Sequence, residues 1–336
     1  MIKLQSLNNK KGEVVFRKRL YRSLPPRQSL LKLGSRLDEE KIHQKNSREA
    51  FKKLEKMEIP MSFYVDLGAG SCLRSLVLEN EFNGKGVAGD ISLDAIKFTN
   101  SLAKRFRYRK IPFRVVLDIY HLPFKNDSLP FIIIFQTLHH LPDPLPVLLE
   151  IKRVLADGGY VYIGEEPIKQ TLNLNLWRRG RQRTPLEKIL MAIGILPFIT
   201  TIGKEEVEYG ILEESFSLKQ WQKWLAIFDK VETEIIPFKL GPRSNNLSRP
   251  SLLTKFFLFL LGGGINALCQ VEKDAPGVKP TDISQIFACP GCSTHPPLEF
   301  RKKKNYYVCN QCKNIYRKRQ GILFLLPKEL EKQLYE

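Results

Sequence analysis

The stretch Val65-Asp66-Leu67-Gly68-Ala69-Gly70-Ser71-Cys72 (VDLGAGSC) decides the fold. An apolar run ends in two glycines one residue apart, and helix formers follow from Ser71 to Glu79. This reads as a strand, a glycine turn and the start of a helix, the arrangement that offers backbone N–H groups to a nucleotide cofactor. Working outward, GKGVAGDIS (84–92) is a second strand and Leu93–Phe106 a second helix. PFRVVLDI (112–119) and PFIIIFQT (130–137) are further strands, β-branched and apolar. Pro144–Leu155 is a helix ending before Asp157-Gly158-Gly159, and GYVYIGEE (159–166) is a fifth strand. Continuously apolar strands alternating with helices predict a parallel sheet covered on both faces, a doubly wound, Rossmann-like α/β domain.

Two cofactor classes compete for the turn. A dinucleotide fingerprint requires a third glycine three residues after Gly70, for close helix–strand packing. Leu73 stands there, and Asp66 at the strand end opposes two phosphate charges. S-adenosylmethionine reverses the electrostatics. It carries an ammonium and a sulfonium but no phosphate, so an acid near the turn is useful, and the helix start can receive its carboxylate. Asp90, which ends the second strand twenty residues past Gly70, suits the ribose hydroxyls in either class. Asp118, after the third strand, is placed to accept the adenine amino group. Cys72 as a nucleophile has no basic neighbour in sequence to lower its pKa.

With DLGAG, GDIS, LDIYHLPF, NDSLPFIIIFQTLHHL and EIKRVLADGGYVYIGEEP in this order and spacing, the chain resembles the class I S-adenosylmethionine-dependent methyltransferases, in the branch called methyltransferase type 11. The resemblance covers residues 61–167 well and 216–272 weakly. It implies that Asp66, Gly68 and Gly70 cradle the methionyl part, that Asp90 with Ile91 holds the ribose and Asp118 with Ile119 the adenine, and that Gln136 lines the cofactor near the methyl group. Two departures stand out. Cys72 replaces a commoner glycine, and Phe131 takes the place of an Asp in the stretch Ser128-Leu129-Pro130-Phe131, which alters that turn.

Methyl transfer is a displacement that needs acceptor, carbon and sulfur in line in a dry pocket. A hydroxyl or protonated amine acceptor also needs a base. His140 in LHHL, just after the fourth strand, is the first candidate, with His139, Glu165, Glu166 and the more distant His121 behind it; a histidine there also commonly only packs or caps. The chain has no Asn/Asp-Pro-Pro-aromatic tetrad and no Pro-Cys pair after that strand, as nucleic-acid amine and cytosine-5 methylases would carry.

Four of the six cysteines form two CxxC doublets, Cys289/Cys292 and Cys309/Cys312, sixteen residues apart. This is zinc-knuckle spacing, and four thiolates close a tetrahedral structural Zn²⁺ site; a redox pair would come singly. The tail IFACPGC…YYVCNQCKNIYRKRQGILFLLP resembles the small zinc-ribbon family that includes the activator subunit of several RNA and protein methyltransferases, with Tyr316 to Gly321-Ile322 matching its closing strand. That likeness implies a ribbon docked on its own catalytic domain, with Phe324 and Leu325 as apolar contacts.

The 336 residues carry a net charge of +19, unevenly spread. Residues 1–60 hold 16 Lys+Arg against 7 Asp+Glu, whereas residues 61–167 hold 12 of each. Basic flanks around a neutral centre favour a polyanion: RNA, an acidic membrane surface or phosphorylated substrates. Ile189–Thr200 contains Pro197, and Phe256–Cys269 is broken by Gly262-Gly263-Gly264. Both fall short of the roughly 20 residues of a spanning helix. Either is apolar enough to touch a bilayer surface, and with no h-region at the N-terminus a cytoplasmic protein is expected.

The expected organisation is a basic helical extension (1–60), a methyltransferase domain (61–275) with a lid or insertion (168–215), a linker (276–284) and a Cys₄ ribbon (285–330). The expected acceptor is a small molecule, glycan or lipid-linked intermediate. Trp177, Arg178 and Arg179 are candidates for gripping its anionic group. Two readings compete: an RNA methyltransferase with a fused activator-like ribbon, and a non-catalytic scaffold with the same fold.

Overall fold

The computed structural model describes residues 2–22, 28–170, 184–196, 209–212, 214–237, 244–245, 247, 250–274 and 282–336, with side chains from residues 7–21 and from Glu40 onward. Trp177, Arg178, Arg179, much of the 168–215 insertion and most of the 276–284 linker lie outside the described residues. Two compact units divide the chain: a larger one of Val14–Ile134, Pro146–Val161 and Gln270–Glu336, and a smaller one of Met1–Glu13, Phe135–Leu145 and Tyr162–Cys269.

Helices α1 (Ile2–Arg22) and α2 (Gln28–Lys56) precede an alternation of strand and helix. It runs β1 (Phe63–Leu67), α3 (Leu73–Glu81), β2 (Lys85–Asp90), α4 (Leu93–Phe106), β3 (Phe113–Leu117), β4 (Leu129–Phe135), α5 (Leu145–Val154) and β5 (Leu155–Ile168). In the larger unit β1 pairs in parallel with β2 on one side (Asp66↔Ala88) and with β4 on the other (Val65↔Ile132), and β2 pairs in parallel with β3. Tyr64 to Leu67 and Gly86 to Asp90 are buried throughout, because helices cover both faces of the sheet. The chain moves outward from β1 to β3 and then returns to β4 on β1's other flank. The carboxyl end of β1 is therefore the switch point of the sheet, where open α/β folds bind ligands.

The helix after the glycine turn begins at Leu73, two residues later than the sequence suggests. Cys72 has φ 60°, left-handed backbone that ends the turn before helical geometry starts. Phe131, the departure noted above, is fully buried in β4.

The smaller unit contains α6 (Pro185–Ala192), α7 (Leu218–Leu225), β6 (Lys230–Pro237), α8 (Leu252–Leu261) and β7 (Gly263–Gln270), with strand order β6-β7-β5. Ser217 caps α7 in a capping box, and Phe216, Trp221 and Trp224 pack edge to face beside it. Among the described residues no helix is long and apolar enough to cross a membrane.

The tail of the larger unit adds β8 (Leu298–Arg301), β9 (Tyr306–Cys309), β10 (Ile315–Arg319), β11 (Ile322–Leu325) and α9 (Lys328–Tyr335). Gln320 (φ 53°) and Gly321 (φ 78°) are both left-handed, the two-residue turn that joins β10 to β11. Strand β11 then pairs in parallel with β3 (Leu323↔Val115, Phe324↔Val116, Leu325↔Leu117). The cysteine-bearing tail thus extends the parallel sheet and covers what would be an exposed edge.

Candidate functional site: a glycine-turn corner and a four-cysteine cluster

In the larger unit the corner is built around Asp90. Its Oδ2 accepts from the Gly70 N–H at 2.8 Å and its Oδ1 from the Ser92 N–H at 2.7 Å. One carboxylate thereby ties the glycine turn after β1 to the start of α4. Gly68 (φ 64°) and Gly70 (φ 52°) are left-handed, and a Cβ on Gly70 would meet nothing within 4 Å. The space beside the turn is open to a ligand.

Asp66 lies beneath this turn, 1% exposed, with Oδ2 accepting from Ser75 Oγ at 2.7 Å. Burial raises its pKa to about 7, with the Ser75 hydroxyl opposing that rise. The carboxylate is costly in the ligand-free corner and is relieved by a nearby cation, which suits an ammonium or sulfonium better than a pyrophosphate. Burial also pushes the Cys72 thiol up, so the nucleophile reading has no support in its surroundings. Asp118 is buried after β3, with Oδ1 accepting from the Tyr120 N–H at 3.1 Å. Ile91 and Ile119 are half-buried beside their acids. The larger unit therefore brings Asp66, Gly68, Gly70, Asp90 and Ile91 to one corner, with Asp118 and Ile119 at the end of the next strand but one.

Residues 65–163 match the family model described as a methyltransferase domain. That segment is a class I S-adenosylmethionine-dependent methyltransferase domain. An uncharacterized methyltransferase of Schizosaccharomyces pombe is 46% identical over 44 residues, which is 13% of this chain and 16% of that protein. Among solved structures, a candidate sarcosine dimethylglycine methyltransferase from Galdieria sulphuraria is 16% identical with a TM-score of 0.44. That match covers 68% of this chain and 86% of the other. An S-adenosylmethionine-dependent methyltransferase from Methanosarcina mazei is 18% identical with a TM-score of 0.41, covering 65% and 97%.

Of the remaining candidates of the methyltransferase segment, His121 lies in the larger unit, its N–H donating to the Asp118 carbonyl at 3.1 Å, and the others sit in the smaller unit. Gln136 (φ 47°) and Glu165 (φ 57°) are both left-handed without being glycine, and Gln136 Nε2 donates to Glu165 Oε2 at 2.8 Å. The Glu165 N–H in turn donates to Asn266 Oδ1 at 2.8 Å. Two strained residues held against each other, one just after β4 and one within β5, are a pattern that functional sites favour. Nothing in the sequence reports φ, so this pairing and Asn266 went unread there.

Glu166 is fully buried and accepts from the backbone N–H groups of Thr137, Leu138 and His139, and its Oε2 lies 3.0 Å from His139 Nδ1. These partners hold its pKa below the ordinary carboxylate value against the opposing cost of burial. His140 Nδ1 lies 2.9 Å from the Leu212 carbonyl oxygen. A carbonyl only accepts, so Nδ1 carries the proton and Nε2 is the basic nitrogen of the neutral ring. Asn9 fixes this loop from α1, donating to the His140 carbonyl at 2.6 Å and accepting from the Leu212 N–H at 2.8 Å. The anchoring role of the N-terminal helix was likewise not legible in its charge-rich sequence.

The four predicted metal ligands converge. The sulfurs of Cys289, Cys292, Cys309 and Cys312 lie within 4.8 Å of one another, with Cys289–Cys312 at 3.6 Å and Cys292–Cys309 at 3.9 Å. Tetrahedral zinc with Zn–S bonds of about 2.3 Å sets sulfur–sulfur separations of about 3.8 Å, so the donor set fits a structural Zn²⁺. Tyr316 supports it from β10, its hydroxyl 3.1 Å from Cys289 Sγ.

Proposed function

We propose that the whole chain transfers a methyl group from S-adenosylmethionine to an oxygen or nitrogen of a small-molecule, glycan or lipid-linked acceptor. The observation that carries the cofactor half is the Asp90 carboxylate bonded at once to Gly70 and Ser92, beside open space at Gly70 and above the buried Asp66. In this reading Asp66, Gly68 and Gly70 cradle the methionyl part. Asp90 and Ile91 take the ribose, Asp118 and Ile119 the adenine, and Gln136 the region of the methyl group. The cofactor supplies an electrophilic methyl on a sulfonium. The chain's own work is to hold the acceptor in line, exclude water and take up a proton. His140 Nε2 is the acceptor for that proton, with the tautomer set by the Leu212 carbonyl.

RNA is the second reading, favoured by the 16 Lys+Arg against 7 Asp+Glu of residues 1–60. Methyl-labelled cofactor incubated with the protein and fractionated cell extract separates the two. Label in small-molecule or lipid fractions is expected, label in RNA would move the assignment to the second reading, and label in no fraction would support a scaffold. His140→Ala in the same assay is expected to lose most of the transfer while still binding cofactor; full turnover would remove His140 as the base.

A further inference from the structure

The cysteine-bearing tail reaches the cofactor corner through one side chain. Strand β11 lies along β3, and its Ile322 and Phe324, with Leu326, share a core with Ala69 and Cys72 of the glycine turn and with Ala88 and Ile96. Helix α9 follows, packing Leu330 and Tyr335 onto that core. The Tyr335 ring stands edge-on to Phe324 at 5.5 Å. Its hydroxyl donates to the carbonyl of Ile91 and accepts from the N–H of Leu93 at 3.0 Å. These two groups flank Ser92, whose own N–H holds Asp90 Oδ1. Asp90 is thus fixed on one side by the glycine turn and on the other by a peptide segment that Tyr335 clamps from both ends. Ordinary caps already serve the helix here, since Ser92 Oγ accepts from Ala95 N. Tyr335 partners the Leu93 N–H, a donor of the first turn that the Ser92 side chain does not serve.

We propose that Tyr335 is a positioning residue for cofactor binding, fixing the Ile91–Leu93 segment so that Asp90 presents its carboxylate to the ribose hydroxyls. The proposal rests on the reading of this corner as the S-adenosylmethionine site. It makes the tail part of the cofactor site rather than a cover for the sheet edge alone. Burial raises the Tyr335 pKa, so the hydroxyl stays protonated and able to donate.

The test uses the full chain and Tyr335→Phe, which keeps the ring on Phe324 and deletes only the hydroxyl. S-adenosylmethionine and an analogue lacking both ribose hydroxyls are titrated calorimetrically, with melting temperature and zinc content measured alongside. Losing two neutral hydrogen bonds at a pre-formed corner is expected to weaken the natural cofactor about tenfold. The analogue, which has no hydroxyls for Asp90 to grip, is expected to weaken less than about twofold, the signature of coupling between Tyr335 and the ribose contact. Zinc content is expected to stay unchanged, and the melting temperature to fall by only a few degrees. Binding of the natural cofactor to Tyr335→Phe within about twofold of the parent, or equal losses for both ligands, would overturn the positioning role and leave the cofactor reading intact. No binding by the parent chain would overturn the cofactor reading itself, and this proposal with it.

Discussion

At the scale of single residues, the buried Asp66 makes the corner costly to ionise, and a cationic ligand there would relieve that cost. Asp66 is buried with its pKa raised from 3.8 to about 7, because desolvation outweighs the hydroxyl and N–H of Ser75 and the charge of Arg74. The folded state therefore binds a proton more tightly than the unfolded chain does. Stability of the ligand-free protein falls as pH rises from about 4 towards 7, by about 4 kcal/mol at full ionisation. A cationic cofactor favours the ionised form, so its affinity is expected to rise with pH up to about 7 and then level, with binding at pH 6 roughly tenfold weaker than on the plateau. Calorimetric titration from pH 5.5 to 7.5 checks this, and Asp66→Asn is expected to flatten the profile while raising the ligand-free melting temperature at pH 7.5. A profile that stays steep in Asp66→Asn would assign the titration elsewhere. These residues were legible by type and spacing, since Asp66, Asp90 and Asp118 each stand within a residue of the end of a strand of the apolar, helix-alternating pattern. Their environments were not. Neither the Ser75 hydroxyl nor the left-handed backbone of Cys72, Gln136 and Glu165 leaves a mark in the sequence.

At the scale of elements, the tail shows where periodicity stops being informative. The alternation of apolar runs and helices located β1 to β5 closely, because strands buried on both faces must be apolar throughout. The cysteine spacing picked out the four thiols that converge, and Phe324 and Leu325, expected as apolar contacts, are buried in β11. That β11 joins β3 in parallel, some two hundred residues away in sequence, was out of reach, since an apolar run does not name its partner. Lys273 is a similar case. It stands three residues before the expected linker (276–284) with nothing in its spacing to give it a role, yet its Nζ bonds the carbonyls of Lys152 and Leu155 at the end of α5 and pairs with Asp127. Because the metal cluster, β11 and the glycine turn belong to one unit, zinc loss is expected to be felt beyond the tail. Cys309→Ser is expected to bind no zinc by elemental analysis and to melt at least about 5 °C lower than the parent. An unchanged melting temperature with zinc absent would show that the ribbon folds without its metal.

At the scale of the whole molecule, charge and chemistry are kept apart along the chain. The segment holding the glycine turn, residues 61–167, is neutral, while the sequence on both sides of it carries the excess of lysine and arginine. On the proposed reading a cationic cofactor would meet no net repulsion at its turn, and the basic flanks would favour an anionic acceptor or surface. Which acceptor that is was not legible, because acceptor contacts come from irregular segments with no fixed spacing. The cofactor corner, by contrast, follows from the switch point of a parallel sheet, and its identity rests on Asp90. Titration of S-adenosylmethionine into the full chain and into Asp90→Asn tests this most directly. One-to-one binding is expected with a dissociation constant of about 1–100 μM, within the usual range for enzyme ligands. In Asp90→Asn it is expected to weaken at least about tenfold through loss of the charged acceptor. No heat of binding in the parent, or equal affinity in the two proteins, would contradict the account.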